Sequence, residues 1–252
     1  VEKMKFVHIK EDKLKDNELL LIGLGDLHYG SNDCDVEKIY DTVAWIAKKP
    51  NARVILMGDL VDIGLRDSVG AGSFDNSVDP ENQIADIISI LDPIKDKIWC
   101  LLGGNHEDRI RQRTSIDINK LMAKALDTSY VNSSCFIKAR IGKENYIIFA
   151  AHGSTGSLTA SGKLASIMKY GSYIDADLYM MGHVHELMHH TTDYFKVSLK
   201  DKMVIKDKRH YVITGHFLKY GGYAEQKGYA PGKTGVSKIT LRSDKKKISV
   251  SI

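Results

Sequence analysis

Carboxylate, imidazole and amide side chains recur in five short polar segments, each directly behind an apolar run. They are Asp26 and His28 in GDLHYG, Asp59 and Asp62 in GDLVDIG, Asn105, His106 and Glu107 in GGNHEDR, His152 in AAHGS, and His183 and His185 in GHVHE. Together they offer nitrogen and oxygen donors without thiolate, a set that suits Mn²⁺, Fe or Zn²⁺. His183 and His185 are two apart. In an extended chain residues i and i+2 point the same way, so both rings would reach one point in space, as metal ligands must. One histidine behind a strand is commonplace. Five of the ten histidines placed this way argue for a shared site.

The elements that must carry these segments follow from hydropathy. ELLLIGLGDLH, ARVILMGDLVD and KIWCLLGGNHE each read as a short buried strand ending in polar residues. VEKIYDTVAWIAKK has apolar residues at helical spacing (Val36, Ile39, Tyr40, Val43, Ile46), and NQIADIISILDPI reads as a second helix. A glycine- and aspartate-rich loop is expected from Gly64 to Asn82. Short apolar strands alternating with helices predict an α/β fold with parallel strands buried on both faces, and ligands bind beyond the carboxyl ends of such strands. From Cys135 onward the pattern becomes strand-rich, with a hairpin or adjacent strands around Gly142 and a final pair turning at Ser243 to Lys245. Two packed sheets with helices outside would accommodate it.

Composition narrows the functional classes. The 252 residues suffice for one large domain, and no repeat or low-complexity linker divides them. No apolar run approaches the roughly 20 residues that span a bilayer, so no membrane partner is expected. The N-terminal residues lack the apolar core of a signal peptide, and Cys34, Cys100 and Cys135 form no CxxC pair; both point to a reduced, cytoplasmic setting. A net charge of +4 permits an anionic substrate but falls short of a nucleic-acid-binding stripe.

Taken in order, D-x-H, G-D-x-x-D, G-N-H-E, H and G-H-x-H resemble the calcineurin-like metallophosphoesterase superfamily, over roughly residues 22 to 186. The resemblance implies a four-layer α/β/β/α sandwich of two mixed sheets flanked by helices. It implies two divalent metal ions, Mn²⁺ foremost with Fe or Zn²⁺ as alternatives. Asp26, His28 and His185 would hold one ion, Asn105, His152 and His183 the other, and Asp59 would bridge them. Two such ions lower the pKa of bound water from 15.7 toward about 7 and clamp phosphoryl oxygens. By the same resemblance His106 would serve as general acid or oxyanion stabiliser, with Asp62 orienting it. Glu107 is expected to support the site from behind. Arg109 would contact substrate or pair along its helix.

The sequence departs from the phosphoprotein-phosphatase pattern in two places. Ile63 stands where an arginine follows GDxVD, and GHVH replaces a single-histidine block. The expected activity is therefore hydrolysis of phosphodiesters by metal-activated hydroxide, on a phosphate-ester substrate that is nucleic acid or a nucleotide. Phosphomonoester or phosphoprotein hydrolysis, and a non-catalytic metal-binding scaffold, are the alternatives. Outside the motifs, strand alternation aims His189 and His190 at opposite faces. The segment around His216, with Lys219, Tyr220, Tyr223 and Lys227, offers a basic, tyrosine-rich surface in which His216 is a candidate substrate contact.

Overall fold

The computed structural model describes residues 4–12, 14–65, 76–198, 202–221, 225, 228 and 230–252. The first three sequence units form β2 (Glu18–Leu24), β3 (Ala52–Leu56) and β4 (Ile98–Leu101), which pair in parallel. β10 (Lys238–Arg242) adds antiparallel to β2 and β11 (Ile248–Ser251) to β10, closing a five-stranded sheet. A second sheet has six strands in the order β1-β5-β6-β7-β9-β8. They are β1 (Lys5–Glu11), β5 (Ser134–Ile141), β6 (Glu144–Ala151), β7 (Leu178–Met181), β8 (Leu187–Ser198) and β9 (Met203–Thr214). β6, β7 and β9 run in parallel.

Alternation of side chains explains the layering. In the first sheet Leu19, Leu21, Ile55 and Met57 turn inward and meet Ile137, Ile148, Leu178 and Met180 of the second. The opposite faces of β2 and β3, with Ile22, Leu24, Val54 and Leu56, pack on helices α1 (Val36–Ala47) and α2 (Pro80–Leu91) and on α4 (Ile118–Ala125). Phe149, Tyr179 and Ile213 on the far face of the second sheet are covered by α5 (Ala160–Met168). The central strands of both sheets are thus buried on two faces, while β1 and the outer part of the β8–β9 ribbon stay partly exposed, and the expected four-layer α/β/β/α architecture is present. Each aliphatic side chain so buried contributes roughly 1.5–3 kcal/mol. The phenol of Tyr146 donates to Arg242 O at 2.7 Å and accepts from Lys247 N at 3.0 Å, fixing the β10–β11 turn.

Several local expectations change. Tyr40 is not part of the buried stripe of α1; it is 54% exposed, and Ile39, Val43 and Ile46 carry the packing. The Gly64–Asn82 loop ends sooner, because the Asp79 side chain accepts from Asn82 N and starts α2 at Pro80; residues 66–75 lie outside the described residues. The charged N-terminal segment forms β1, paired in parallel with β5, with Val7 and Ile9 against the inter-sheet core. The short helices α4 and α5 were not anticipated. All three cysteines are buried free thiols.

Every polar segment lies at one edge of the sandwich, where the carboxyl ends of β2, β3, β4, β6, β7 and β9 come together. Among the described residues, no helix is long and apolar enough to cross a membrane.

Candidate metal centre

The strands do not deliver their polar residues in extended conformation. Asp26, His28, Asp59, His183 and His185 all adopt left-handed backbone, with φ between 47° and 68°. This region is sparsely populated by residues other than glycine. The expectation that His183 and His185 share a face through strand alternation is therefore corrected. β7 ends at Met181, His183 sits on a tight reversal with Val184 N donating to Gly182 O at 2.8 Å, and His185 takes up left-handed backbone again. Each reversal swings a side chain over the sheet edge. Glycines make room for them: a Cβ on Gly104 would lie 2.0 Å from Asp59 Oδ1, and one on Gly182 2.6 Å from Asp26 Oδ2.

Two groups hold the candidate ligands. Asp26, His28 and His185 form one, and Asp59, His152 and His183 the other; a third group, His28, Asp62 and His106, shares His28 with the first, and within each the ligating atoms lie within 4.8 Å of one another. His28 Nε2 and His185 Nε2 face each other at 2.9 Å, and Asp26 Oδ1 is 3.6 Å from His185 Nε2. On the other side, His152 Nε2 lies 3.1 Å from Asn105 Oδ1 and 3.2 Å from Asp59 Oδ2. Asp59 Oδ2 is also 4.0 Å from His28 Nε2, so this carboxylate stands between the groups.

Backbone donors fix both carboxylates. His183 N–H donates to Asp26 at 2.9 and 3.0 Å, and His106 N–H to Asp59 Oδ1 at 2.9 Å. Behind them, fully buried Glu107 accepts from Asp59 N, Leu60 N and Gly104 N, tying the start of α3 (Asn105–Thr114) to the turn after β3. Burial and the neighbouring Asp59 charge push its carboxyl up to about 7.

The electrostatics fit divalent cations. Asp26 and Asp59 are buried carboxylates facing one space. Burial raises the Asp26 pKa. Burial also opposes ionisation of Asp59, but His152, His106 and His28 outweigh it and hold Asp59 well below the usual carboxylate range. Burial depresses His28 and His183 and brings His185 down to about 3, so these rings are neutral donors. The ring of His152, against the cost of burial, is lifted to about 10 chiefly by Asp59. Its Nδ1 donates to Met57 O at 2.8 Å, which turns Nε2 toward two oxygen acceptors. Lone pairs converging on lone pairs call for positive charge among them, and oxygen and imidazole donors match first-row divalent ions.

Asp62 lies between His28 and His106. Its Oδ1 is 3.1 Å from His28 Nδ1 and 3.2 Å from His106 Nδ1, while the shorter contact of His106 Nδ1 is to the Asp62 carbonyl, at 2.5 Å. It therefore contacts a candidate ligand as well as His106. Arg109 is half-buried and meets His106 one turn back on its own helix. Its guanidinium donates to Asp62 O and Ile63 O and reaches His106 Nε2 at 3.0 Å. His216 is buried and stacks on His185, ring centroids 5.3 Å apart, and its Nε2 has no hydrogen-bond partner. His189 lies apart from both donor groups, paired with His210 at 3.2 Å. Lys219 lies 3.7 Å from Asp35, Tyr220 is half exposed, and Tyr223 and Lys227 lie outside the described residues.

Sequence reasoning missed two residues. Gln83, fully buried in α2, accepts from Asp62 N and Ile63 N, and it donates to Asn76 Oδ1. Asn76 in turn donates to Asp62 Oδ2 at 2.6 Å. Neither sits behind a strand, so the pattern that found the others had no hold on them.

The family model described as calcineurin-like phosphoesterase matches residues 19–220, most of the chain and every candidate ligand. The chain belongs to this family. Solved structures similar to this calcineurin-like phosphoesterase include three at low identity. A conserved uncharacterised protein of Streptococcus pneumoniae, a predicted phosphoesterase, is 11% identical over 93% of this chain and 98% of its own (TM-score 0.38). A metallophosphoesterase of Sphaerobacter thermophilus is 12% identical over 92% and 87% (TM-score 0.44). A Vps29 double mutant of Entamoeba histolytica is 12% identical over 92% and 98% (TM-score 0.43). No curated protein matches the chain.

Proposed function

We propose that this phosphoesterase is a dinuclear metal-dependent phosphodiesterase acting on nucleic acid or nucleotide substrates. The carrying observation is that Asp59 stands between two imidazole and carboxylate groups whose candidate ligands follow five strand ends. Asp26, His28 and His185 would hold one divalent ion and Asn105, His152 and His183 the other, with Asp59 shared. Mn²⁺ is the first choice among ions that accept these donors. When bound, such ions supply the positive charge that acidifies water and neutralises phosphoryl oxygens.

The chain's own residues manage the leaving group. Burial disfavours the charged His106 ring, but Asp59 and Asp62 outweigh it and leave the ring above the ordinary imidazole range. Arg109 can only donate, so Nε2 accepts from it, which assigns the ring's proton to Nδ1 facing Asp62 O. Delivery of a proton from Nε2 to a leaving oxygen requires the guanidinium to turn aside and Nε2 to take up a proton from solvent first, giving the imidazolium that Asp59 and Asp62 favour; transfer to the leaving oxygen then returns the ring to its neutral Nδ1–H form. Only Nη2 needs to move, since Arg109 stays bound to the carbonyls of Asp62 and Ile63 through Nη1, and Asp62 retains the ring's orientation through Nδ1.

The preference for diesters rests on charge. A phosphomonoester dianion needs more positive charge from the protein than a diester anion does. Here the Arg109 guanidinium is committed to the carbonyls of Asp62 and Ile63, and buried Ile63 supplies no second one. A panel with added Mn²⁺ tests this: bis-p-nitrophenyl phosphate, p-nitrophenyl phosphate, cyclic nucleotides, single-stranded and duplex DNA, and RNA. Higher kcat/KM on bis-p-nitrophenyl phosphate than on the monoester supports the reading; the reverse order overturns it.

A further inference from the structure

We propose that the groove leading away from Asn105 and His152 binds one nucleoside of the substrate, an inference that rests on the diesterase reading. The groove encloses about 770 Å³, within the range of small-molecule sites, and begins at these two candidate ligands. One wall is a single face of α3, where Asn105, Asp108 and Arg111 follow one another at three-residue steps. The other wall carries Tyr170 and Tyr173, with Phe149 on the floor.

Charge excludes a nucleic-acid backbone track, which needs an excess of basic side chains. The charged residues of the groove cancel: Arg111 pairs with Asp108 at 2.8 Å, and Lys120 faces Asp117 at 3.5 Å. A second phosphate here would meet two carboxylates. A neutral, flat, polar-edged group suits the lining better. Phe149, Tyr170 and Tyr173 form a chain of edge and tilted ring contacts, at 4.9 and 6.1 Å, from the floor to the rim. The last of these rings is 64% exposed, an open face on which a base can stack. Asp117 supplies the polar contact. It stands at the start of α4 without capping it, and its Oδ1 is buried with no donor. A buried acceptor left unpaired is costly, and an amino or ring N–H of a base would satisfy it.

Tyr173→Ala tests the assignment, because the exposed ring supports no core. The probes are adenosine 5′-monophosphate and inorganic phosphate, titrated by calorimetry into Mn²⁺-loaded protein, and two diesters compared by rate, thymidine 5′-(p-nitrophenyl phosphate) and methyl p-nitrophenyl phosphate. In the parent protein, adenosine 5′-monophosphate should bind at least tenfold tighter than phosphate. Tyr173→Ala should abolish most of that advantage, and the thymidine-to-methyl ratio of kcat/KM should fall about tenfold or more. Equal affinity for the two ligands, or an unchanged advantage in the variant, overturns the nucleoside site. If neither diester is cleaved while p-nitrophenyl phosphate is, the diesterase reading fails, and the binding comparison still decides the groove.

Discussion

Asp59 Oδ2 lies 3.2 Å from His152 Nε2 and 4.0 Å from His28 Nε2, and Oδ1 holds the amide of His106. One carboxylate thus touches both donor groups and the residue proposed to protonate the leaving oxygen. The His106 ring packs edge-on against His28, centroids 4.4 Å apart, but its Nε2 faces Arg109. The two residues should therefore separate in experiment. His106→Ala should retain bound metal and the fold while lowering turnover of esters with alkoxide leaving groups by about 10²–10⁴-fold, with a much smaller loss on p-nitrophenyl esters, whose leaving group needs no proton. Metal analysis beside the two rates checks this; loss of metal would place His106 among the ligands.

At the level of elements, function depends on strands that end abruptly. Five candidate ligands hold left-handed backbone, each at a cost of order 1–3 kcal/mol, which the packed sheets on either side must absorb. Gly104 is part of this arrangement, since the Asp59 carboxylate occupies the space its side chain would need. Gly104→Ala should displace Asp59, reducing bound metal and cutting activity by about 10²-fold or more, with circular dichroism unchanged. Normal metal content in the variant would show that the close approach is dispensable.

The β8–β9 ribbon offers a prediction away from the site. Burial lowers His189, and burial with the neighbouring His189 ring lowers His210 to about 4. Below the ordinary imidazole pKa of about 6.5 the unfolded chain takes up a proton that the folded ring refuses. Stability therefore falls as pH drops from 7 toward 4. His210→Gln should flatten the decline in Tm between pH 7 and pH 5 by a few degrees; an equally steep decline in the variant would remove His210 as its source.

Legibility in the sequence followed periodicity. β2, β3 and β4 were readable because their residues are apolar on both faces, and the polar segment closing each marked the site edge. β1 was missed because an edge strand, charged on one face, looks like a solvated terminus. The proximity of His183 and His185 was readable while its cause was not: alternation predicted extended backbone, and the structure supplies left-handed backbone at both residues. Gln83 and Asn76 were invisible for another reason. Their roles are hydrogen bonds to the Asp62 turn from a helix and a loop, and no local pattern announces a contact of that kind.

For the whole molecule, two sheets bring six carboxyl ends to one edge, and the two donor groups draw on both. His28 and Asp26 follow β2, Asp59 follows β3 and Asn105 β4, whereas His152, His183 and His185 follow strands of the other sheet. Cations at that edge would join the two halves, and ligands that bind only the folded state raise its stability. The most direct measurement is metal content of protein equilibrated with Mn²⁺ and desalted, for the parent chain and Asp59→Asn. The account predicts about two ions per chain in the parent and loss of both from the variant. One ion or none in the parent, or a variant that loses only one, would contradict a shared two-ion centre.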